Sequence, residues 1–273
     1  MQLYHFPSTN PQKVTFAFKE LGLDCELVPI DLSTGEQRQP AFLAQNPFGR
    51  VSVLVDDGLT LPESRAILAY LGEKTGRLWP SSAAGRAEAL RWLFFLSQHI
   101  IPPAGEVALR FRAKVFGRPI DATAEATIKR GEEALPAALA ILEDHLAGNK
   151  WIIGAEFGLV DCAYCPVLNV IEKSGFGFAG FPRVAAYLEA CRARPTWAQT
   201  PRLPGLWPGR AFSAPCAGQA SQIKNGPFEG DADDGIEEPQ QRLLPSVVGA
   251  HCRNHHDDRG CYSRRHDVVT PVQ

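Results

Sequence analysis

The spacing of apolar positions changes several times in the first third of the chain. Residues 2–6 form a short apolar run that reads as a strand. Over 11–21, Val14, Ala17, Phe18 and Leu21 fall at i, i+3, i+4 and i+7, the stripe of an amphipathic helix. Pro11 suits a first helical position, Thr9 or Asn10 can cap ahead of it, and Gly22 ends it. "CELVPIDL" (25–32) is a second strand, followed by a polar, charged loop through Pro40. "VSVLV" and "LTL" then flank Asp57-Gly58, a hairpin signal, and "ESRAILAYLGEKTG" (63–76) closes the segment as a helix ending at Gly76. Strand, helix, strand, hairpin and helix within residues 1–77 predict a small α/β domain with a mixed sheet.

Residues 78–85 ("LWPSSAAG") break the composition and read as a linker, after which the pattern is helical. Leu90, Leu93 and Phe94 share one face of a helix interrupted at Pro102-Pro103. Ile128, Leu135, Leu139, Leu142 and Leu146 stripe another, in which Pro136 is expected to produce a kink. Shorter helices are expected near 159–173 and 182–193, giving an all-helical domain over 86–206. From 207 the periodicity stops in a stretch rich in Pro, Gly and acidic residues, so 207–273 reads as a low-order tail. A natural extension and a product of a reading-frame change would look alike there.

Composition narrows the class of protein more than its function. Of 273 residues 45% are hydrophobic and 21% charged, ordinary for a globular chain. A formal charge of −2 supplies no global field for nucleic acid or an anionic membrane, so neither partner is expected. No segment is long and apolar enough to span a bilayer, and the start of the chain lacks the layout of a signal peptide. Seven cysteines at irregular spacing fit reduced thiols in a cytoplasmic protein.

Candidate chemistry begins at "FPSTNPQKV" (6–14). A helix N-terminus carries free N–H groups and a positive dipole end. Ser8 and Thr9 are therefore either plain caps or donors to an anion. "PESRAI" (62–67) repeats the arrangement where a strand gives way to a helix, with Glu63 and Ser64 at the junction. Two such ends in one sheet domain could grip an elongated acidic ligand, and Gln37 with Arg38 could hold a second carboxylate.

"STNPQKV", "GEQRQPAFLAQNPFGRV" and "LPESRAILAYL", in this order, resemble the glutathione transferases, closest to the phi class and related bacterial enzymes. The similarity covers roughly residues 1–200, including "RPTW" near its end. It implies a thioredoxin-like α/β domain that binds glutathione as co-substrate, then an all-α domain walling the site for a small hydrophobic electrophile, and a homodimer. Ser8 matches the catalytic serine, which donates to the glutathione sulfur. Gln37 and Arg38 fall where the glycyl carboxylate is held. Arg50 and Val51 belong to the binding set, Val51 pairing its backbone with the cysteinyl unit. Glu63 and Ser64, with Arg65 beside them, match the pair that receives the γ-glutamyl end.

Lowering a thiol from near pKa 8.5 by about two units requires roughly 2.7 kcal/mol of preference for the thiolate. One hydroxyl donor and a helix N-terminus are together of that size. Tyr4, on the first strand, is the rival donor and reads as strand packing. No metal is expected. Glutathione-dependent peroxide reduction and a non-catalytic glutathione-binding module are the alternatives.

Two positions depart from the family pattern. Ser52 stands where a cis-proline is usual, so Val51–Ser52 is either cis without proline or trans with the Val51 backbone turned elsewhere. Gly158 stands where Ser or Thr usually forms a capping box with Asp161. "CAYC" (162–165) has redox spacing but a helical setting, and reads as packing. Cys252, His255, His256 and Cys261 match no common zinc spacing. His5, His99 and His145 receive no role. Phe6, Phe111 and Phe116 are candidates for an apolar pocket and equally for core.

Overall fold

The computed structural model describes residues 1–32 and 34–201. The region read as a low-order tail, with Cys252, His255, His256 and Cys261, lies outside the described residues.

Four strands, β1 (Gln2–His5), β2 (Glu26–Pro29), β3 (Val53–Asp56) and β4 (Leu59–Pro62), form one mixed sheet in the order β2-β1-β3-β4. β1 and β2 are parallel and joined through α1 (Thr9–Leu21). β3 is antiparallel to both β1 and β4. The β3–β4 turn is the expected one, with Asp57 at φ 47 and Gly58 at φ 80, the left-handed pair that matches strand twist. A 3-10 turn (Glu36–Arg38) and a short α2 (Pro40–Leu43) occupy the loop before β3. α3 (Ser64–Thr75) follows β4 and stops at Gly76, φ 62.

The rest of the described residues is mainly helical: α4 (Ala83–Phe95), α5 (Ile101–Phe116), α6 (Ala122–His145), α7 (Leu159–Lys173), α8 (Pro182–Arg192) and α9 (Pro195–Ala198). α4 begins inside the stretch read as a linker, capped by the Ser82 hydroxyl, which accepts from the Gly85 N–H at 3.0 Å. A π-helical turn, Leu96–Ile100, separates α4 from α5. Pro102 and Pro103 have no N–H to return to the preceding turn, so the ladder there is rearranged.

The α6 stripe is buried as expected, from Ile128 to Leu146. The α4 stripe is not. Leu93 is buried, but Leu90 and Phe94 face outward, and the inward face is Ala89, Trp92, Leu93 and Leu96. Trp92 is buried, with its indole N–H bonded to Glu88 at 2.9 Å, and Phe94, two residues on, lies on the opposite side of the helix.

α1 joins the two parts. Eight successive residues, Pro11 to Phe18, are buried, and the helix packs on α3 from the sheet side and on α7 from the helical side. One apolar core therefore runs from Leu3 and Leu54 of the sheet through α1 to Tyr164 and Leu188. At the far end of α1, Arg194 forks onto Glu20 with two contacts of 2.6 Å and lies over the Phe157 ring. At the start of α7, Asp161 accepts from the N–H of Ile152 (2.9 Å) and of Gly158 (2.8 Å) and from the Tyr187 hydroxyl (2.7 Å). Gly158 leaves the other half of the box empty, as expected. A Cβ there would lie 3.1 Å from the Leu78 carbonyl oxygen, which the Leu159 N–H already uses.

Gly131 lets α6 pass close to α5. An added Cβ would fall 2.7 Å from the Pro103 carbonyl oxygen and 2.8 Å from the Glu106 Cβ. Replacing a helical glycine by alanine ordinarily gains about 0.5–1 kcal/mol. Here Gly131→Ala is expected to lose about 1–3 kcal/mol through overpacking. A lowered urea midpoint checks this, and a raised one would contradict the close crossing.

Candidate functional site

The sheet order brings the marked segments to one edge. β1 ends, β3 begins and β4 ends on the same side, because β3 is antiparallel to both neighbours. Phe6–Ser8, Val51–Ser52 and Glu63–Ser64 emerge there, and β2, parallel to β1, feeds its loop toward Gln37 and Arg38 from the same side. α1 and α3 both start at this edge. The N–H groups of Thr9 and Asn10, and of Ser64, Arg65 and Ala66, have no backbone acceptor among the described residues. Two sets of free donors and two positive helix ends therefore face one region.

Ser8 is the cap residue of α1, with extended backbone (φ −134, ψ 172), and Thr9 is already helical. The sequence expectation of a cap at Thr9 or Asn10 was late by one or two residues, because Pro11 occupies the third helical position rather than the first. The Ser8 hydroxyl makes no capping bond and lies 3.5 Å from the Phe6 carbonyl oxygen, a weak contact. Ser82 and Asp121, in the same position on α4 and α6, both use their side-chain oxygens as caps. The Ser8 hydroxyl remains available to something outside the helix.

Gln37 lies in the 3-10 turn, with its Oε1 buried and unpartnered among the described residues. Arg38 beside it is exposed. Arg50 is also exposed, and its carbonyl accepts from the buried Asn46 amide at 2.7 Å. Val51 packs on the small cluster of Ile30, Phe42 and Val53. The Val51–Ser52 peptide bond is cis, and the Ser52 Oγ is buried without a partner among the described residues. Glu63 caps α3 at φ 75 and pairs with Arg65 at 3.2 Å, while Ser64 is buried as the first residue of α3. Tyr4 packs edge-on against Phe42, ring centroids 6.1 Å apart.

A cavity of about 380 Å³ opens on the other side of Ser8. Ser8, Thr9 and Gln12 form one wall; Phe111, Val170 and Trp197 supply apolar surface; Asn169, Glu172, Lys173 and Arg192 supply polar surface. Ser8 is the residue of the predicted set that reaches this cavity; the others lie along the sheet edge. Of the three candidate aromatics Phe111 lines it, Phe116 is half exposed on the surface, and Phe6 lies outside the lining.

Lys13, which carried no marker in the sequence, is fully buried one turn into α1. Its Nζ donates to the Asn10 Oδ1 at 2.8 Å. Burial, with repulsion from Arg65, brings the lysine down to about 7, against the attraction of Glu63. Periodicity hid it, because position 13 adjoins the apolar stripe and a lysine there reads as solvated. Cys162 and Cys165 are buried in α7, where burial pushes the Cys162 thiol well up and makes it a poor nucleophile. Burial lowers His5, whose Nδ1 is buried and unpartnered among the described residues. His145 bonds the Ile152 carbonyl at 2.9 Å, and His99 tilts against Phe95. No group of three or more potential metal ligands occurs among the described residues, and none of their helices is long and apolar enough to cross a membrane.

Family models of the glutathione S-transferase N-terminal and C-terminal domains match residues 1–73 and 92–195. Glutathione S-transferase 3 of Zea mays is 38% identical over 210 residues, covering 73% of this chain and 92% of the relative. The disulfide-bond oxidoreductase YfcG of Escherichia coli is 31% identical over 206 residues, covering 73% and 93%. A solved glutathione transferase of Burkholderia graminis, with two glutathione molecules bound per subunit, matches with a TM-score of 0.65 at 32% identity, covering 72% of this chain and 85% of that one.

Proposed function

This chain belongs to the glutathione S-transferase family, and from that premise we propose that it transfers the glutathione thiolate to small electrophiles, with Ser8 as the thiolate's donor. The observation that carries the reading is the Ser8 hydroxyl: it sits in a cap position and is not used as a cap. When glutathione binds, its cysteinyl sulfur lies at the start of α1. There the Ser8 O–H and the free N–H groups favour the thiolate over the thiol. Glu63, Ser64 and Arg65 at the start of α3 receive the γ-glutamyl end, where the Ser64 N–H and hydroxyl suit its carboxylate and Glu63 its ammonium. Gln37 and Arg38 hold the glycyl end, where the unpartnered Gln37 Oε1 has an acceptor to offer a backbone N–H. The Val51 backbone aligns the middle of the tripeptide, with Arg50 at its flank. The thiolate then attacks an electrophilic carbon presented from the cavity of Phe111, Val170 and Trp197.

A second reading, glutathione-dependent reduction of a disulfide or peroxide, draws on two observations. The cavity beside Ser8 carries Asn169, Glu172, Lys173 and Arg192, and one relative is a disulfide-bond oxidoreductase. The same thiolate would attack sulfur or oxygen instead of carbon.

We further propose a cytoplasmic homodimer. The buried Asn46 side chain ties both ends of the 46–50 turn, accepting from the Phe48 N–H at 3.1 Å and donating to the Arg50 carbonyl. That turn holds Phe48 out at 77% exposure, and Phe94 on α4 stands at 64%. Large apolar side chains displayed by a rigid frame favour a protein partner.

Ser8→Ala is expected to lower kcat/KM with glutathione and 1-chloro-2,4-dinitrobenzene by about 10- to 100-fold, the loss of one charge-assisted hydrogen bond. Undiminished turnover would remove Ser8 from the mechanism. For the assembly, Phe48→Ser is expected to halve the sedimenting mass at micromolar concentration; an unchanged mass would place the interface elsewhere.

A further inference from the structure

Buried charges in this chain are matched, with one exception among the described residues. Asp161 has three donors, Glu143 accepts from the Arg183 and Val184 N–H groups, and Asp56 is bonded to Tyr70 and Lys74. Lys13 is equally buried and has one hydrogen bond, to Asn10, with no carboxylate paired to it. An ammonium has three donors, so two are unused in a place where an incompletely solvated charge is costly. Such a residue is a poor device for holding the fold together. It becomes intelligible beside a site that fills with an anion.

The bond to Asn10 gives the link. Its Oδ1 is taken by Lys13, and Asn10 is an exposed residue of the same helix start that carries Ser8, so its amide nitrogen is the end left to bond elsewhere. That nitrogen has no acceptor among the described residues. We propose that Lys13 is a positioning residue for the reacting thiol: it fixes the Asn10 carboxamide with its N–H groups toward the sulfur, so that the thiolate meets Asn10 as well as Ser8. This rests on the reading of Ser8 as the thiolate's donor. The charged groups that act on Lys13 from the neighbouring α3 start are Arg65, which opposes its protonation, and Glu63, which favours it. An anionic tripeptide across the starts of α1 and α3 adds attraction, so the lysine is held in its charged, three-donor form while the thiolate is present.

The test is the ultraviolet absorbance of the glutathione thiolate bound to the full chain, titrated from acid to alkaline pH. Lys13→Met removes the donor at similar volume, and Asn10→Ala removes the exposed amide without opening the core. Each is expected to raise the thiolate midpoint by about one pH unit, tenfold less thiolate on the acid side, with glutathione still bound. The double variant should shift no further than either single one, as for two residues acting through one contact. An unmoved midpoint in Lys13→Met overturns the proposal while leaving Ser8 in place. If Lys13→Met does not fold, an unmoved midpoint in Asn10→Ala overturns it alone. Wild-type protein that binds glutathione without lowering its thiol pKa removes the Ser8 reading, and this proposal with it.

Discussion

The burial of α1 on two sides is the constraint on which the other features depend. The helix is covered by α3 toward the sheet and by α7 toward the bundle, so its position is set by both halves of the chain at once. The Arg194–Glu20 fork fixes one end, and strand β1 fixes the other. Ser8 sits at the β1 end, between the sheet edge and the cavity walled by α5 and α7. A cap residue on a mobile helix would be a weak donor. Here, moving Ser8 would require moving the common core, and in the role proposed for Ser8 an immobile donor stabilises charge without reorganising when the charge forms.

Topology supplies the rest of the site cheaply. A mixed sheet in the order β2-β1-β3-β4 delivers two helix starts and two loops to one edge, and no residue has to be carried there by a special insertion. The free N–H groups that a helix must leave somewhere are left where an acidic tripeptide is proposed to lie. The helical half contributes a wall that mixes apolar Phe111, Val170 and Trp197 with polar Asn169, Glu172, Lys173 and Arg192.

Much of this was legible along the chain. Asp57-Gly58 announced its hairpin, Gly22 and Gly76 ended their helices, and the stripe from Ile128 to Leu146 was buried in full. These are local signals, read at the period of the element that carries them. Leu90 and Phe94 were grouped with Leu93 because periodicity alone does not say which of two apolar faces is buried, and Trp92, two residues before Phe94, lies on the buried one. The cap was displaced to Thr9 or Asn10 because proline is tolerated anywhere in a first helical turn, where no N–H is owed. Lys13 and the cavity were invisible for a different reason. Lys13 becomes interior only when other elements pack over α1, and the cavity joins Ser8 to Asn169 and Arg192, far away along the chain. No window of sequence contains both partners of such a contact.

The central claim is that α1 presents Ser8 to the sulfur of glutathione. The most direct measurement is a crystal structure of the full chain with glutathione bound. The account predicts the sulfur within hydrogen-bonding distance of the Ser8 Oγ at the start of α1, with the γ-glutamyl carboxylate on the Ser64 N–H. A sulfur resting on the Tyr4 hydroxyl, or a tripeptide bound away from both helix starts, would contradict it.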